Sequence, residues 1–125
     1  MTARSGLVPY LFYDDPAAMI GWYTTVFGFK EHARYTGENG RITNAELIVG
    51  ESELWMDGNP PAGWDPTSVP WIGVWVEDPD AVYEHLRAND VKIDPPVDKR
   101  YGVRVTGVVK DPAGYSWGFM RRITP

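Results

Sequence analysis

The feature that most constrains this sequence is an internal repeat with an offset of 63 residues. At this offset Trp117-Gly118-Phe119 falls on Leu54-Trp55-Met56, and Val76-Glu77-Asp78-Pro79 falls on Tyr13-Asp14-Asp15-Pro16. Both copies place an Asp-Pro pair before a helical pattern, where Asp can accept from free backbone N–H groups and Pro suits the first turn. We therefore expect one structural unit that is repeated twice.

The first copy, about residues 7–57, predicts the order β-α-β-β-β. The helix follows from apolar residues at helical spacing and is ended by Gly28. The strands follow from β-favouring runs between turn residues. The predicted elements are strand Val8–Tyr13, helix Ala17–Phe27, strand Phe29–Tyr35, strand Ile42–Val49 and strand Leu54–Met56.

The second copy, about residues 71–123, predicts the same order. Its elements are strand Trp71–Val76, helix Asp80–Ala88, strand Val91–Ile93, strand Gly102–Lys110 and, after the turn Asp111-Pro112-Ala113-Gly114, a last strand to Arg122. Residues 58–70 are rich in Pro and Gly and predict a connector. The expectation is an α+β fold of one domain, residues 1–125, in which two tandem βαβββ modules form a curved mixed sheet with helices on the outer face.

Composition limits the classes of function. The net charge of −5 and a pI of about 4.9 disfavour nucleic acid as a partner. The chain has no cysteine, which excludes disulfides and thiolate metal sites and suits the cytoplasm, and no apolar run is long enough for a membrane. Six tryptophans in 125 residues exceed the needs of a compact core, so part of the aromatic surface is expected to bind a partner.

Several short motifs, taken in order, resemble one known family. They are Tyr10-Leu11-Phe12, Phe27-Gly28-Phe29, Asn44-Ala45-Glu46-Leu47 and Asp111-Pro112-Ala113-Gly114-Tyr115-Ser116-Trp117. With the βαβββ repeat, this set resembles the vicinal oxygen chelate superfamily of glyoxalases, extradiol dioxygenases and bleomycin-type resistance proteins, over about residues 7–123. The resemblance implies a ligand cavity on the inner sheet face and a homodimer. The sequence leaves open whether that cavity forms within one chain or across a dimer.

Metal-using members of that superfamily hold an ion with residues from the first and last strands of each module. The repeat offset places those four positions at Val8, Trp55, Trp71 and Gly118. None of these side chains can ligate a divalent metal. Both histidines, His32 and His85, fall on other elements. We therefore expect no metal site and no cofactor.

Strand alternation, with the superfamily's ligand positions pointing inward, predicts the ligand-binding face. Arg104 is the one cation expected there, and Gly73 is expected to leave floor space for a ligand ring between two tryptophans. Trp117 is expected to face the helices. The predicted ligand-binding residues are Tyr10, Phe12, Asn44, Glu46, Trp55, Asp57, Trp71, Gly73, Trp75 and Arg104.

These residues favour metal-independent binding or sequestration of an aromatic small molecule, as in bleomycin-type antibiotic resistance. The acidic residues and cation–π contacts would favour a cationic compound. The alternative is an enzyme, a glyoxalase-like lyase or isomerase or a dioxygenase, for which Glu46 is a weak candidate general base. A third possibility is that Trp55, Trp71 and Trp75 fill a subunit interface or a collapsed cavity.

Overall fold

The computed structural model describes residues 6–124. The chain divides between Trp64 and Asp65 into two compact units, and the boundary falls within the Pro-rich segment that follows the first repeat. Each unit contains one mixed sheet and one α-helix, so the predicted α+β class is confirmed. The described part of the chain forms two sheets, one for each repeat. That both repeats form a single domain stays a prediction.

Unit 1 follows the predicted order closely. Asp15 caps the helix with its carboxylate on the backbone N–H of Ala18, and Gly28 ends the helical segment with φ of 75°. The sheet order is β1-β4-β3-β2, with β1 parallel to β4. Its elements are β1 (Tyr10–Phe12), α1 (Pro16–Trp22) extended by a π-helical turn (Tyr23–Phe27), β2 (Lys30–Thr36), β3 (Ile42–Val49) and β4 (Ser52–Asp57).

The core of unit 1 lies on the predicted face of its sheet. Alternate strand residues are buried there, and α1 supplies Met19 and Ile20. The hydroxyl groups of two buried tyrosines, Tyr13 and Tyr23, hydrogen-bond to each other at 2.8 Å, which satisfies both polar ends. The buried strand residues are Leu11, Ala45, Leu47, Leu54 and Met56.

Unit 2 has five strands, in the order β5-β9-β7-β6 with β8 also paired to β9. Strands β5 and β9 are parallel, and the other pairs are antiparallel. The helix is capped by Asp78, whose carboxylate accepts from Asp80 and Ala81. The elements are β5 (Ile72–Trp75), α2 (Pro79–Ala88), β6 (Val97–Lys99), β7 (Val103–Val105), β8 (Val109–Lys110) and β9 (Ser116–Arg122).

The second strand of unit 2 lies later in the chain than predicted. The range Val91–Ile93 is not a strand, because the backbone N–H of Val91 donates to the carbonyl of Leu86 and keeps this segment at the end of α2. The strand is β6 instead, in the segment between the predicted strands Val91–Ile93 and Gly102–Lys110. A tight turn makes this possible, since Gly102, with φ of 87°, returns a hydrogen bond to the carbonyl of Lys99 and sets the β6–β7 register.

The predicted strand Gly102–Lys110 is interrupted by a bulge. Val105 lies opposite Met120 and Val109 opposite Trp117, so four steps on one strand match three on its partner. Thr106 occupies the break: its N–H donates to the carbonyl of Phe119 at 2.9 Å, and its hydroxyl accepts from the Phe119 N–H at 3.1 Å. A bulge of one residue reverses which side chains face each side of the sheet.

The turn between β8 and β9 is organised by one buried carboxylate. Asp111 is 3% exposed. One of its oxygens accepts from the backbone N–H groups of Ala113 and Tyr115, at 2.9 and 3.1 Å, and the other accepts from the indole N–H of Trp117 at 2.8 Å. Trp117 is buried on the helix side of the sheet, as predicted. The conspicuous Asp-Pro-Ala-Gly motif therefore stabilises the fold.

Among residues 6–124, neither helix has the length and apolar character needed to cross a membrane.

Candidate functional site

The face of the unit 1 sheet that points away from α1 gathers six predicted ligand-binding residues. Tyr10 and Glu46 both lie opposite Trp55, on its two neighbouring strands. Phe12 and Asn44 flank Asp57 in the same way. Residues directly opposite on neighbouring strands share a face. We call this surface the unit 1 open face.

A chain of hydrogen bonds fixes Tyr10 on the open face. Its hydroxyl donates to a carboxylate oxygen of Asp57 at 2.6 Å and accepts from the amide of Asn44 at 3.3 Å. The other oxygen of Asp57 accepts from the backbone N–H of Asn59 at 2.8 Å. Donation to Asp57 raises the pKa of the Tyr10 phenol, because ionisation would place two negative charges together. Tyr10 is therefore a neutral, oriented ring at physiological pH.

A hollow of about 260 Å³ opens on this face. Its walls include the rings of Tyr10, Tyr35 and Trp55, together with Asn44 and Glu46. All three rings are partly open to solvent, with exposed fractions of 45%, 52% and 38%. The Tyr10 and Trp55 ring centroids are 6.5 Å apart. Such a hollow can take a flat ring against aromatic walls.

Tyr35 is the one ring of the hollow that sequence reasoning missed. It lies opposite Asn44, although β2 contains register shifts between Glu31 and Ala33 and again after Tyr35. Simple alternation of side chains from the start of β2 therefore does not predict which face of the sheet Tyr35 lies on. Counting back from the Glu38-Asn39-Gly40 turn would have placed Tyr35 near Asn44.

Glu46 lies beside the hollow, and its carboxylate accepts from the Tyr35 hydroxyl at 3.3 Å. It therefore brings a negative charge to the aromatic walls. Its role as a general base stays a prediction.

Phe12 and Trp64 extend the aromatic surface of unit 1 beyond the hollow. Their ring centroids are 5.0 Å apart in an edge-to-face arrangement, and Phe12 lies 5.9 Å from Tyr10. Edge-to-face pairs of this kind stabilise one another beyond simple burial. Trp64 is thus a packed residue of the segment that follows β4.

In unit 2, Gly73 and Trp75 share the face of Gly118 and Met120, as their register requires. The predicted floor space above Gly73 is filled, however. A Cβ atom on Gly73 would come within 2.6 Å of the Met120 methyl group, and one on Gly118 within 2.7 Å of the Trp71 ring. The two glycines therefore make room for Trp71 and Met120, and the expectation that a ligand ring rests on Gly73 is wrong.

Arg104 was expected on the ligand-binding face and lies on the other one. Arg104 pairs with Arg121, which lies two residues after the buried Phe119 and therefore on the same face of the sheet. The prediction failed because the bulge at Thr106 reverses the alternation of side chains in this segment. Its guanidinium donates twice to Asp80, at 2.8 and 2.9 Å, and once to Asp98 at 2.9 Å. Arg104 thus ties β7 to α2 and β6.

The residues at the superfamily's metal positions do not fit a metal ion. Trp55, Trp71 and Gly118 lie on open sheet faces, but indole rings and glycine supply no ligating lone pair, and Val8 supplies none either. The Trp71 ring also covers Gly118. In residues 6–124 no cluster of three or more His, Cys, Asp or Glu side chains could hold a metal. The donor set therefore gives no basis for a metal-dependent step.

Comparisons with known proteins agree with this architecture. A family model described as Glyoxalase/Bleomycin resistance protein/Dioxygenase superfamily matches residues 6–119. The crystal structure of TioX from Micromonospora sp. ML1 is 30% identical, with a TM-score of 0.78 over 95% of this chain and 99% of that chain. No curated protein matches the chain.

Two further solved structures share the fold at lower identity. A glyoxalase/bleomycin resistance protein from Streptomyces sp. CB03234 is 23% identical, with a TM-score of 0.73 over 92% of this chain and 98% of that chain. A glyoxalase-related enzyme from Clostridium phytofermentans is 15% identical, with a TM-score of 0.77 over 98% of each chain. At these identities the likeness concerns the fold alone.

Proposed function

Since the chain belongs to the glyoxalase/bleomycin resistance protein/dioxygenase superfamily, we propose that it binds a flat aromatic small molecule, without a metal, on the unit 1 open face. The observation that carries this proposal is the hollow walled by Tyr10, Tyr35 and Trp55 with Glu46 beside it. The rings supply stacking surfaces, and the carboxylate supplies a charge.

Stacking explains why such a ligand would gain from this hollow. Each aromatic pair contributes about 0.5–1.5 kcal/mol beyond the burial of apolar area. The Tyr10 ring is already fixed by Asp57 and Asn44, so little side-chain freedom is lost when a ligand binds. Rings that are open to solvent before binding and oriented in advance favour association.

Charge favours a cationic ring. The strand residues of the open face include three acids, Glu46, Glu53 and Asp57, against one cation, Lys30. The whole chain carries a formal charge of −5. A cation would also gain from the faces of Trp55 and the two tyrosines. We therefore expect aromatic rings that carry an alkylammonium group to bind more tightly than neutral or acidic aromatics.

Sequestration of an aromatic antibiotic is the biological form of this proposal. Binding would hold the compound away from its target, in keeping with the bleomycin resistance named for the Streptomyces relative. Expression in a sensitive bacterial host should raise tolerance to some glycopeptide or intercalating antibiotic. Tolerance unchanged across that panel would argue against sequestration. A homodimer and a cytoplasmic location stay predictions, to be tested by light scattering and cell fractionation.

Calorimetric titration with three naphthalenes of one shape tests the binding proposal. The probes are 2-naphthylmethylammonium, 2-naphthalenemethanol and naphthalene-2-carboxylate. We expect the ammonium compound to bind at the hollow, with Trp55→Leu weakening it about tenfold and Glu46→Gln about threefold. Tyr101→Leu, which replaces an exposed aromatic residue of the β6–β7 turn, is the matched control and should leave this affinity unchanged. Equal affinity of wild type and Trp55→Leu would refute the proposed site.

Metal independence has its own test. Protein purified without chelator should contain no stoichiometric Zn, Ni, Fe or Mn by elemental analysis, and EDTA should not change the affinity for the ammonium probe. One bound metal per chain would overturn the donor argument made from Val8, Trp55, Trp71 and Gly118.

A further inference from the structure

Arg41 lies outside the hollow of unit 1 but contacts the residues that hold one of its walls. It is the last residue of the turn between β2 and β3. Its backbone is fixed there, because its N–H donates to the Asn39 side chain at 3.0 Å and its carbonyl accepts from the Gly37 N–H at 2.8 Å. The Arg41 side chain therefore projects from an anchored position.

The Arg41 guanidinium ties the chain after β4 to the chain before α1. It donates to the carbonyl of Gly58, to the carbonyl of Asp14 at 3.3 Å and to the side-chain oxygen of Asn59 at 3.5 Å. All three acceptors are neutral oxygens. A guanidinium carries five N–H donors in a planar fork, so one arginine can hold several acceptors in a single arrangement. Arg41 thus sets the path of the chain as it leaves β4.

Gly58 shows how closely the chain is packed at this point. It is buried, and its N–H donates to the carbonyl of Thr43 at 2.7 Å. A Cβ atom at this position would clash with the carbonyl oxygen of Ile42, so the close approach of the two backbones requires glycine. The carbonyl of Gly58 is the group that Arg41 binds. The turn after β4 therefore has little freedom while Arg41 is in place.

Asp57 links this turn to the hollow. One oxygen of its carboxylate accepts from the backbone N–H of Asn59 at 2.8 Å, and the other accepts from the Tyr10 hydroxyl at 2.6 Å. A carboxylate that is held at one oxygen presents the other in a fixed direction. A continuous path of contacts therefore runs from Arg41 through Asn59 and Asp57 to Tyr10, which is a wall of the hollow.

Charge and positioning predict opposite effects of Arg41 on a cationic ligand. As a positive charge, Arg41 would repel the ligand, so its removal would tighten binding. As the residue that holds the turn after β4, Arg41 keeps Asp57 and the Tyr10 ring in place before the ligand arrives. Its removal would then weaken binding, because a mobile ring must be ordered when the ligand binds. The sign of the change in affinity therefore separates the two effects.

We propose that Arg41 is a positioning residue for the hollow: it orients Tyr10 through the turn after β4 and through Asp57, and so raises the affinity for a ligand that rests on this ring. Arg41 acts without touching the ligand. The effect on affinity rests on the function proposed above, whereas the effect on Tyr10 can be measured without a ligand.

Calorimetry with 2-naphthylmethylammonium measures the sign. Arg41→Gln should weaken binding about fivefold, although it removes a positive charge. Arg41→Lys keeps the charge but not the planar fork, and it should weaken binding about twofold. Arg34→Gln is the matched control, because Arg34 pairs with Glu31 on β2, and it should not weaken binding. Tighter binding by Arg41→Gln, or an equal loss in Arg34→Gln, would overturn the proposal.

A double-mutant cycle with Asp57→Ala tests the path. In this background the connection from the turn to Tyr10 is already cut, so Arg41→Gln should not weaken the ammonium probe any further. Additive losses would show that Arg41 acts by another route, and the proposal would then be wrong.

The Tyr10 ring reports on the same path in the free protein. With ¹³C-labelled tyrosine, and with Tyr10→Phe to assign the signal, the Cζ resonance of Tyr10 should move in Arg41→Gln towards its position in Asp57→Ala. It should stay in place in Arg34→Gln. Thermal unfolding checks that Arg41→Gln is folded, and Arg41→Lys should show a smaller shift in the same direction.

An unmoved Tyr10 resonance in both Arg41 variants would overturn the proposal whether or not a ligand binds. If the wild type bound none of the three naphthalenes while the Tyr10 resonance moved as expected, the function proposed for the hollow would fail and the positioning role of Arg41 would stand. The two failures are therefore distinguishable.

Discussion

Replacing Asp111 by alanine should destabilise the protein more than any other exchange of one carboxylate. The substitution removes the acceptor for the indole N–H of Trp117 and for the backbone N–H of Tyr115, both in buried surroundings. A buried donor left without a partner costs about 1–3 kcal/mol. The third donor, the N–H of Ala113, is only part-buried, so water can replace the carboxylate there. We expect a loss of about 3–5 kcal/mol in the free energy of unfolding.

Urea unfolding followed by tryptophan fluorescence measures this loss. Asp14→Ala is the control, because Asp14 is exposed, and it should change stability by no more than about 0.5 kcal/mol. The loss of stability in Asp111→Asn should lie between those of the two alanine variants. The asparagine amide replaces one acceptor oxygen by an NH₂ group, which would then face an N–H donor of the turn. At roughly 3–5 °C for each kcal/mol, Asp111→Ala should also melt about 10–20 °C lower.

A double-mutant cycle isolates the contact with Trp117. Trp117→Phe removes the indole N–H, so it should cost clearly less in the Asp111→Ala background than in wild type. A loss below about 1 kcal/mol for Asp111→Ala, or strictly additive effects in the cycle, would refute the view that this carboxylate organises the β8–β9 turn.

Two further predictions concern unit 2. Gly118→Ala places a methyl group within 2.7 Å of the Trp71 ring, so the ring should move into solvent or the protein should lose about 1–3 kcal/mol of unfolding free energy. Red-shifted tryptophan fluorescence would show the first outcome, and lower stability to urea would show the second. Gly21→Ala is the control, because a Cβ atom there meets no atom within 4 Å. The Arg104 guanidinium lowers the pKa of Asp80, mainly through its hydrogen bonds to that carboxylate. This pair therefore stabilises the fold fully above the pKa of Asp80 in the unfolded chain, which is about 4. The stabilisation is lost as the pH falls through the lower pKa of Asp80 in the folded protein. Arg104→Gln should accordingly differ most from wild type near neutral pH, and the gap should narrow below about pH 4; a constant gap across this range would contradict the assignment.

The candidate site of unit 1 could be largely predicted because its strands are regular where the site lies. Strand β3 has the predicted bounds, and β1 and β4 pair without a bulge. Alternation therefore placed Tyr10, Glu46 and Trp55 on one face correctly. Their hydrogen bonds were beyond prediction, because the contact of Tyr10 with Asp57 joins residues 47 positions apart.

The sequence by itself determined the repeat, the Asp-Pro helix starts, the hairpin at Asp111 and the absence of ligating side chains at the metal positions. These depend on local preferences and residue chemistry, which act over a few neighbours. Only the tertiary structure decided which strand follows α2 and which way Arg104 points. A single bulge at Thr106 reverses every side chain beyond it, and its position is set by pairing with a strand more than ten residues away.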